Sequence, residues 1–144
     1  MDINLLQTEL DRVKTETHEH CIVCGSANDR GLHLQFALTD DGGVRAEFDC
    51  RRAYESYRNT LHGGIIALLL DGAMTNCLFA HGCSAVTGDL RIRFRHPVTT
   101  DRPVTITSRI ERSSPPLHVM HAEILQDGAV MAVGTGKFME RPTR

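Results

Sequence analysis

TLHGGIIALLLD, Thr60–Asp71, decides how the rest of the 144-residue chain is read. A histidine and two glycines precede an apolar run, and the run ends on a carboxylate. Continued to Ala80, the segment carries Ile65, Ile66, Leu68, Leu69, Leu70, Met74, Leu78 and Phe79, which cover nearly the whole circumference of a helix. A helix apolar all round is buried on most sides rather than laid on a surface. The spacing therefore predicts a central buried helix from Gly63 to about Ala80. Its uninterrupted apolar run, Ile65 to Leu70, is far shorter than the ~18 residues of a membrane span.

The flanking sequence supplies strands. Leu32, Leu34, Phe36 and Leu38 alternate with polar or small residues, and Val44, Ala46 and Phe48 alternate with Arg45, Glu47 and Asp49. TDDGG stands between the two runs, so they are expected to form a hairpin. After the helix, Leu90, Ile92 and Phe94 alternate with Arg91, Arg93 and Arg95. Val104, Ile106, Ser108 and Ile110 continue the pattern, and SSPP and QDG punctuate further strands at about Leu117–Leu125 and Ala129–Met139. At the N-terminus, Leu5, Leu6, Leu10 and Val13 recur near helical spacing over Ile3–Lys14, ahead of an irregular stretch, THEHCIVCGSANDRG. Strands before and after one buried helix predict an α+β fold, an antiparallel sheet curled around it. The chain is expected to be a single domain over 1–144, with 1–30 as a helix-and-CxxC extension.

Composition narrows the class. A hydrophobic fraction of 41% and a charged fraction of 24% are ordinary for a globular protein. The net charge of -2 offers nucleic acid no general attraction. MDINLLQTELDR is polar and acidic where a secretion signal would be basic and then apolar, so a cytoplasmic protein with no membrane partner is expected. Five cysteines in a chain long enough for a core argue against a disulfide framework.

The motif also has chemistry. The first N–H groups of a helix lack intrahelical partners and sit at the positive end of its dipole. Glycine removes the side chain that would hold a ligand away, so Gly63 and Gly64 could polarise a carbonyl oxygen; the plainer reading is a tight loop-to-helix junction. Asp71 falls among apolar neighbours at i±3 and i±4, where an unpaired carboxylate is costly. It is either a general base or a residue paired with an arginine or a backbone N–H. Gly63 and Asp71 are separated by ~12 Å along one helix. Two antiparallel copies could bring Gly63 of one chain to Asp71 of the other, which points to a symmetric dimer with two shared sites.

At these residues the sequence resembles the hotdog-fold acyl-CoA thioesterases, in particular the branch typified by the phenylacetate-pathway thioesterase. His62, Gly63, Gly64 and Asp71 match that branch's HGG motif with an aspartate after seven residues, and Thr87 matches its hydroxyl residue sixteen positions further on. The segment Cys21–Phe36 is similar to the N-terminal part of a group in the same superfamily. The resemblance implies a long helix wrapped by a curved antiparallel sheet, assembled as a dimer or a dimer of dimers. It implies that the Gly63 N–H polarises the thioester, that Asp71 of the partner subunit activates water or attacks directly, and that Thr87 helps to hold the water or the carboxylate. His62 would shape the helix start and is a candidate for contacting the substrate. The substrate would be an acyl-CoA, with coenzyme A part of the substrate and no separate cofactor or catalytic metal. Some relatives carry an asparagine where this chain has Ser56; Asn59 lies near but out of register.

Other clusters are weaker. Arg91, Arg93 and Arg95 on one strand face are candidates for coenzyme A phosphates, with Arg51, Arg52 and Arg58 as rivals. Cys21 and Cys24, with His18 and His20, are ligand types for zinc, but a lone CxxC reads more simply as two loop thiols. His118 and His121, like His18 and His20, read as surface residues. Two other functions compete: a hydratase or dehydratase on the same fold, and an acyl-CoA binding module without turnover. Against the first, no histidine follows Asp71 within nine residues; against the second, no basic DNA-binding segment is present.

Overall fold

The computed structural model describes residues 1–142. Helix α1 (Ile3–Thr17) is followed by strands β1 (Ala37–Leu38) and β2 (Val44–Asp49), then the long helix α2 (Gly63–Ala80). Strands β3 (Ala85–Phe94), β4 (Pro103–Ser114), β5 (Leu117–Gln126) and β6 (Ala129–Glu140) complete the chain. The six strands form one sheet in the order β1-β2-β4-β5-β6-β3, every pair antiparallel. This is the hotdog architecture that the resemblance implies.

The sheet curls around α2 because one face of each inner strand is apolar. In β2 burial alternates strictly, with Val44, Ala46 and Phe48 inward and Arg45, Glu47 and Asp49 outward. Against α2, Met74 and Leu70 lie under Gly134 and Gly136 of β6. A Cβ at Gly136 would stand 2.6 Å from the Met74 sulfur, so glycine is what lets helix and sheet approach there. Fully buried Phe79, Phe138, Leu69, Leu70, Met74 and Ile106 form the centre; each such side chain contributes roughly 1.5–3 kcal/mol. Helix α2 has the length and apolarity of a membrane-crossing segment, but 61% of that window is buried inside the molecule.

Helix α1 starts where Asp2 caps it, the carboxylate accepting from the Asn4 and Leu5 N–H groups at 2.9 and 3.4 Å. It runs three residues beyond the expected Lys14. Leu10 and Val13 are buried as expected, whereas Leu5 is 68% exposed. The Asp127–Gly128 turn, with φ of 51° and 81°, gives the left-handed pair that a two-residue hairpin loop requires between β5 and β6.

One expected strand is mostly absent. Leu34 and Phe36 are buried as their alternation predicts, but the segment joins the sheet only at Ala37–Leu38. Its backbone is taken instead by the cysteine loop, Leu32 N–H donating to Ile22 O and Leu34 N–H to Val23 O. His33, at φ 53°, breaks the extension. A second difference concerns His118, expected at the surface: it is 2% exposed.

Candidate active site

Helix α2 begins at a histidine cap. His62 has extended backbone (φ -62°, ψ 134°), and its Nδ1 accepts the Gly64 N–H at 2.8 Å. The Gly64 donor is therefore occupied within the chain. The Gly63 N–H, by contrast, finds no acceptor among the described residues. A Cβ at Gly63 would meet only the Phe94 ring, at 3.6 and 3.8 Å. Gly63 opens onto a cavity of about 290 Å³ walled by Ser56, Thr60, Ile66, Phe94, Arg95 and His96. A bare donor at the positive end of an 18-residue helix suits an oxygen that gains negative charge.

Two turns further along, Asp71 is half-buried. Thr87 of β3 donates its hydroxyl to Asp71 Oδ1 at 2.5 Å, the hold on the carboxylate that the family resemblance implies. The other carboxylate oxygen forms no hydrogen bond within the described residues. Asp71 and Thr87 line a second cavity, about 250 Å³, with His18, Phe79, Ser84 and Arg141. The setting is thus less apolar than the helical neighbours of Asp71 alone imply, because β3 and the end of α1 bring polar groups to it.

Gly63 and Asp71 do not share a cavity. The two hollows lie at different points along α2, one at its first residue and the other eight residues on. Along the same helix α2 leaves Ile65, Leu68 and Thr75 half-buried, and β3, at the edge of the sheet, exposes Val86 and Phe94 at 55% and 54%. Larger hollows of about 590 and 410 Å³ lie elsewhere, and neither touches Gly63 or Asp71.

The remaining candidates divide. Arg95 lines the Gly63 cavity and also a shallow hollow with Arg91 and Arg93 on the outer side of the sheet, where Arg91 Nε lies 3.4 Å from Asp89. Ser56 is in the Gly63 cavity wall, with its hydroxyl directed at Thr60 O at 3.4 Å. Asn59 is a turn residue at φ 63°, its carbonyl taken by the Thr100 N–H, and it lines neither cavity. Sequence reasoning missed Phe94 beside Gly63, and Arg141 and the cavity role of His18 beside Asp71. No spacing in the sequence signals them, since each arrives through tertiary packing.

The cysteine loop packs on the back of α2. Val23 sits against Gly72, where a Cβ would come within 2.6 Å of Val23 Cγ1. The Cys24 thiol donates to Cys21, and the Val23 N–H adds a bond at 3.4 Å. Together they hold the Cys21 thiol well below its usual range, while the same contact and burial push Cys24 up. His18 turns toward Phe79, ring to ring at 4.7 Å, and exposed His20 pairs with Glu19, so these four residues form no common ligand set. Among the described residues, the side chains that do converge as a ligand set are Cys83, His118 and Glu140.

Comparison with known proteins places the fold. The model of the thioesterase superfamily matches residues 58–132, from the loop before Gly63 through β5 into β6. A solved thioesterase superfamily protein is 25% identical over 85% of this chain with a TM-score of 0.80, and the chain spans 61% of that protein's length. The PaaI protein of the E. coli phenylacetic acid degradation operon is 18% identical, with 98% of this chain and 97% of that one aligned at a TM-score of 0.81. A hypothetical thioesterase from Streptococcus pneumoniae, solved with coenzyme A, is 20% identical over 77% of this chain and 90% of its own, at 0.71. The last two likenesses concern the fold. None of the curated proteins matches the sequence.

Proposed function

The chain belongs to the thioesterase superfamily, and from that premise we propose that it hydrolyses an acyl-CoA at sites shared between two copies. The observation that carries the reading is the division of the machinery: a bare Gly63 N–H in one cavity, and the Thr87–Asp71 pair in another. The half-buried stripe of α2 and the exposed apolar residues of β3 supply a surface on which a second copy can lie antiparallel. Gly63 of one chain then faces Asp71 of the partner subunit.

In that arrangement the thioester oxygen accepts the Gly63 N–H, which makes the carbonyl carbon more electrophilic. Thr87 fixes one oxygen of Asp71, so the other is free to take a proton from water. The water oxygen bonds to the carbonyl carbon, the C–S bond breaks, and coenzyme A leaves as the thiol with the proton returned to sulfur. The products are a carboxylic acid and free coenzyme A. Arg95, beside the Gly63 cavity, is the arginine best placed for a coenzyme A phosphate; Arg91 and Arg93 face away from it.

The experiment is thiol release from a panel of acyl-CoAs by wild type, Asp71→Ala and Gly63→Pro. Wild type is expected to turn over at least one substrate, and each variant to be nearly inactive. Mixing the two variants tests sharing, because a mixed dimer holds one site with both lesions and one with neither. After random reassortment of equal amounts, activity should recover to about a quarter of wild type. A mixture as inactive as its parts would overturn the shared site, and no release by wild type would overturn the hydrolase reading.

A further inference from the structure

We propose that Cys83, His118 and Glu140 form a binding site for a zinc-type divalent cation. The register of the sheet assembles it. Ala85 pairs with Glu140 across β3–β6, His118 with Phe138 across β5–β6, and Ser113 with His118 across β4–β5. Side chains two apart on a strand share a face. Cys83, two residues before Ala85, thus meets Glu140, which is diagonal to His118. Their ligand atoms all lie within 4.8 Å of one another.

His118 carries the argument. It is 2% exposed, in contact with Ser113 Oγ through Nδ1 and Glu140 Oε1 through Nε2, each at 2.8 Å. A metal-binding histidine is characteristically held in this way, one ring nitrogen on an oxygen partner and the other toward the ion. Cys83 Sγ otherwise has only a long contact of 3.7 Å with His81 O. Ligands about 2.0–2.3 Å from a tetrahedral ion stand roughly 3.3–3.7 Å apart. Small side-chain rotations open the His118–Glu140 contact to that spacing; with the ion between Nε2 and Oε1 the ring proton sits on Nδ1 toward Ser113 Oγ, and the Cys83 thiol proton is released to water. Glu140, 36% exposed, leaves the fourth position to water. One thiolate, one imidazole and one carboxylate suit zinc and not magnesium or calcium, which prefer oxygen donors throughout.

The site would brace one wall of the carboxylate cavity. Cys83 precedes Ser84 and Thr87 in the wall, and Glu140 precedes Arg141. The ion ties the start of β3 to the ends of β5 and β6 beside that wall. Its role is structural and independent of the hydrolytic reading.

The test uses the full chain freed of metal with a chelator, then titrated with Zn²⁺ or with Co²⁺ as a spectroscopic probe. One equivalent of Zn²⁺ should bind per chain and raise the melting temperature, and Co²⁺ should give a thiolate charge-transfer band. Cys83→Ser should abolish the band and weaken Zn²⁺ at least about tenfold, and Ser113→Ala should weaken it about 10–100-fold. Cys21→Ser and Cys24→Ser should leave both readouts unchanged. His118 variants risk misfolding, so partly exposed Cys83 and exposed Ser113 carry the test. No Zn²⁺ uptake at micromolar concentration by the folded protein would overturn the proposal. So would a Co²⁺ band that survives Cys83→Ser and disappears in Cys21→Ser.

Discussion

Gly63→Pro separates the chemistry of the helix start from its stability. Gly63 is the first residue of α2, the position where proline is best tolerated because the missing N–H has no intrahelical partner. The preceding residue must be extended, and His62 already is, at φ -62° and ψ 134°. No hydrogen bond within the described residues is lost. Proline also restricts the unfolded chain, which stabilises a compatible site by about 0.4–1 kcal/mol. The same change deletes the proposed oxyanion donor, a loss of about 10²–10³ in kcat, or ~2.7–4 kcal/mol. Gly63→Ala is the control: it keeps the N–H, and its Cβ meets Phe94 at the ordinary distances of 3.6 and 3.8 Å. The assays are steady-state thiol release and thermal melting. The proline variant should melt no lower than wild type and yet be nearly inactive, with the alanine variant far less impaired. A folded proline variant with kcat within about tenfold of wild type would refute the donor role. An alanine variant as slow as the proline variant would refute it too, because crowding would then explain both.

Other outcomes follow from the same geometry. His62→Ala should cost about 0.5–2 kcal/mol in urea denaturation, and His62→Asn, which can still cap Gly64, should recover most of it. Gly72→Ala forces a methyl to within 2.6 Å of Val23 Cγ1; overpacking of about 1–3 kcal/mol outweighs the ~1 kcal/mol gained in helix propensity. Thermal melts should show the loss, and Val23→Ala in the same chain should relieve it. Cys21, held below its usual range by the Cys24 thiol, should be alkylated by iodoacetamide at pH values where an ordinary thiol near 8.5 is protonated. Its rate should fall as pH drops through the depressed value, and Cys24→Ala should move that midpoint upward; an unmoved midpoint would count against the contact.

The central helix was legible because nothing but burial explains its apolar circumference, and its bounds agree with the structure at Gly63 and Ala80. The later strands were equally clear, each alternating against its neighbour between recognisable turns. Leu32–Phe36 misled because alternation reports which side chains are buried, not which backbone they pair with; here the partner is the Ile22–Val23 backbone. For the candidate site, spacing along one helix sufficed to separate Gly63 from Asp71, whereas Thr87, on β3, was marked as a partner of Asp71 only by the family resemblance. Spacing could not reveal that His62 occupies the Gly64 N–H, or that His18 arrives from 53 residues before Asp71. His118 lies next to a Pro-Pro turn and looks polar and superficial in sequence. Only the sheet register shows that it is enclosed between Ser113 and Glu140.

The distance between Gly63 and Asp71 has a consequence for how the rate depends on concentration. On the shared-site reading, a solitary chain can be fully folded and still contain no complete catalyst. Specific activity would then fall on dilution as the copies separate, and the rate in that range would follow the square of the protein concentration. Supply of the protein, as well as supply of substrate, would set whether the reaction runs at all.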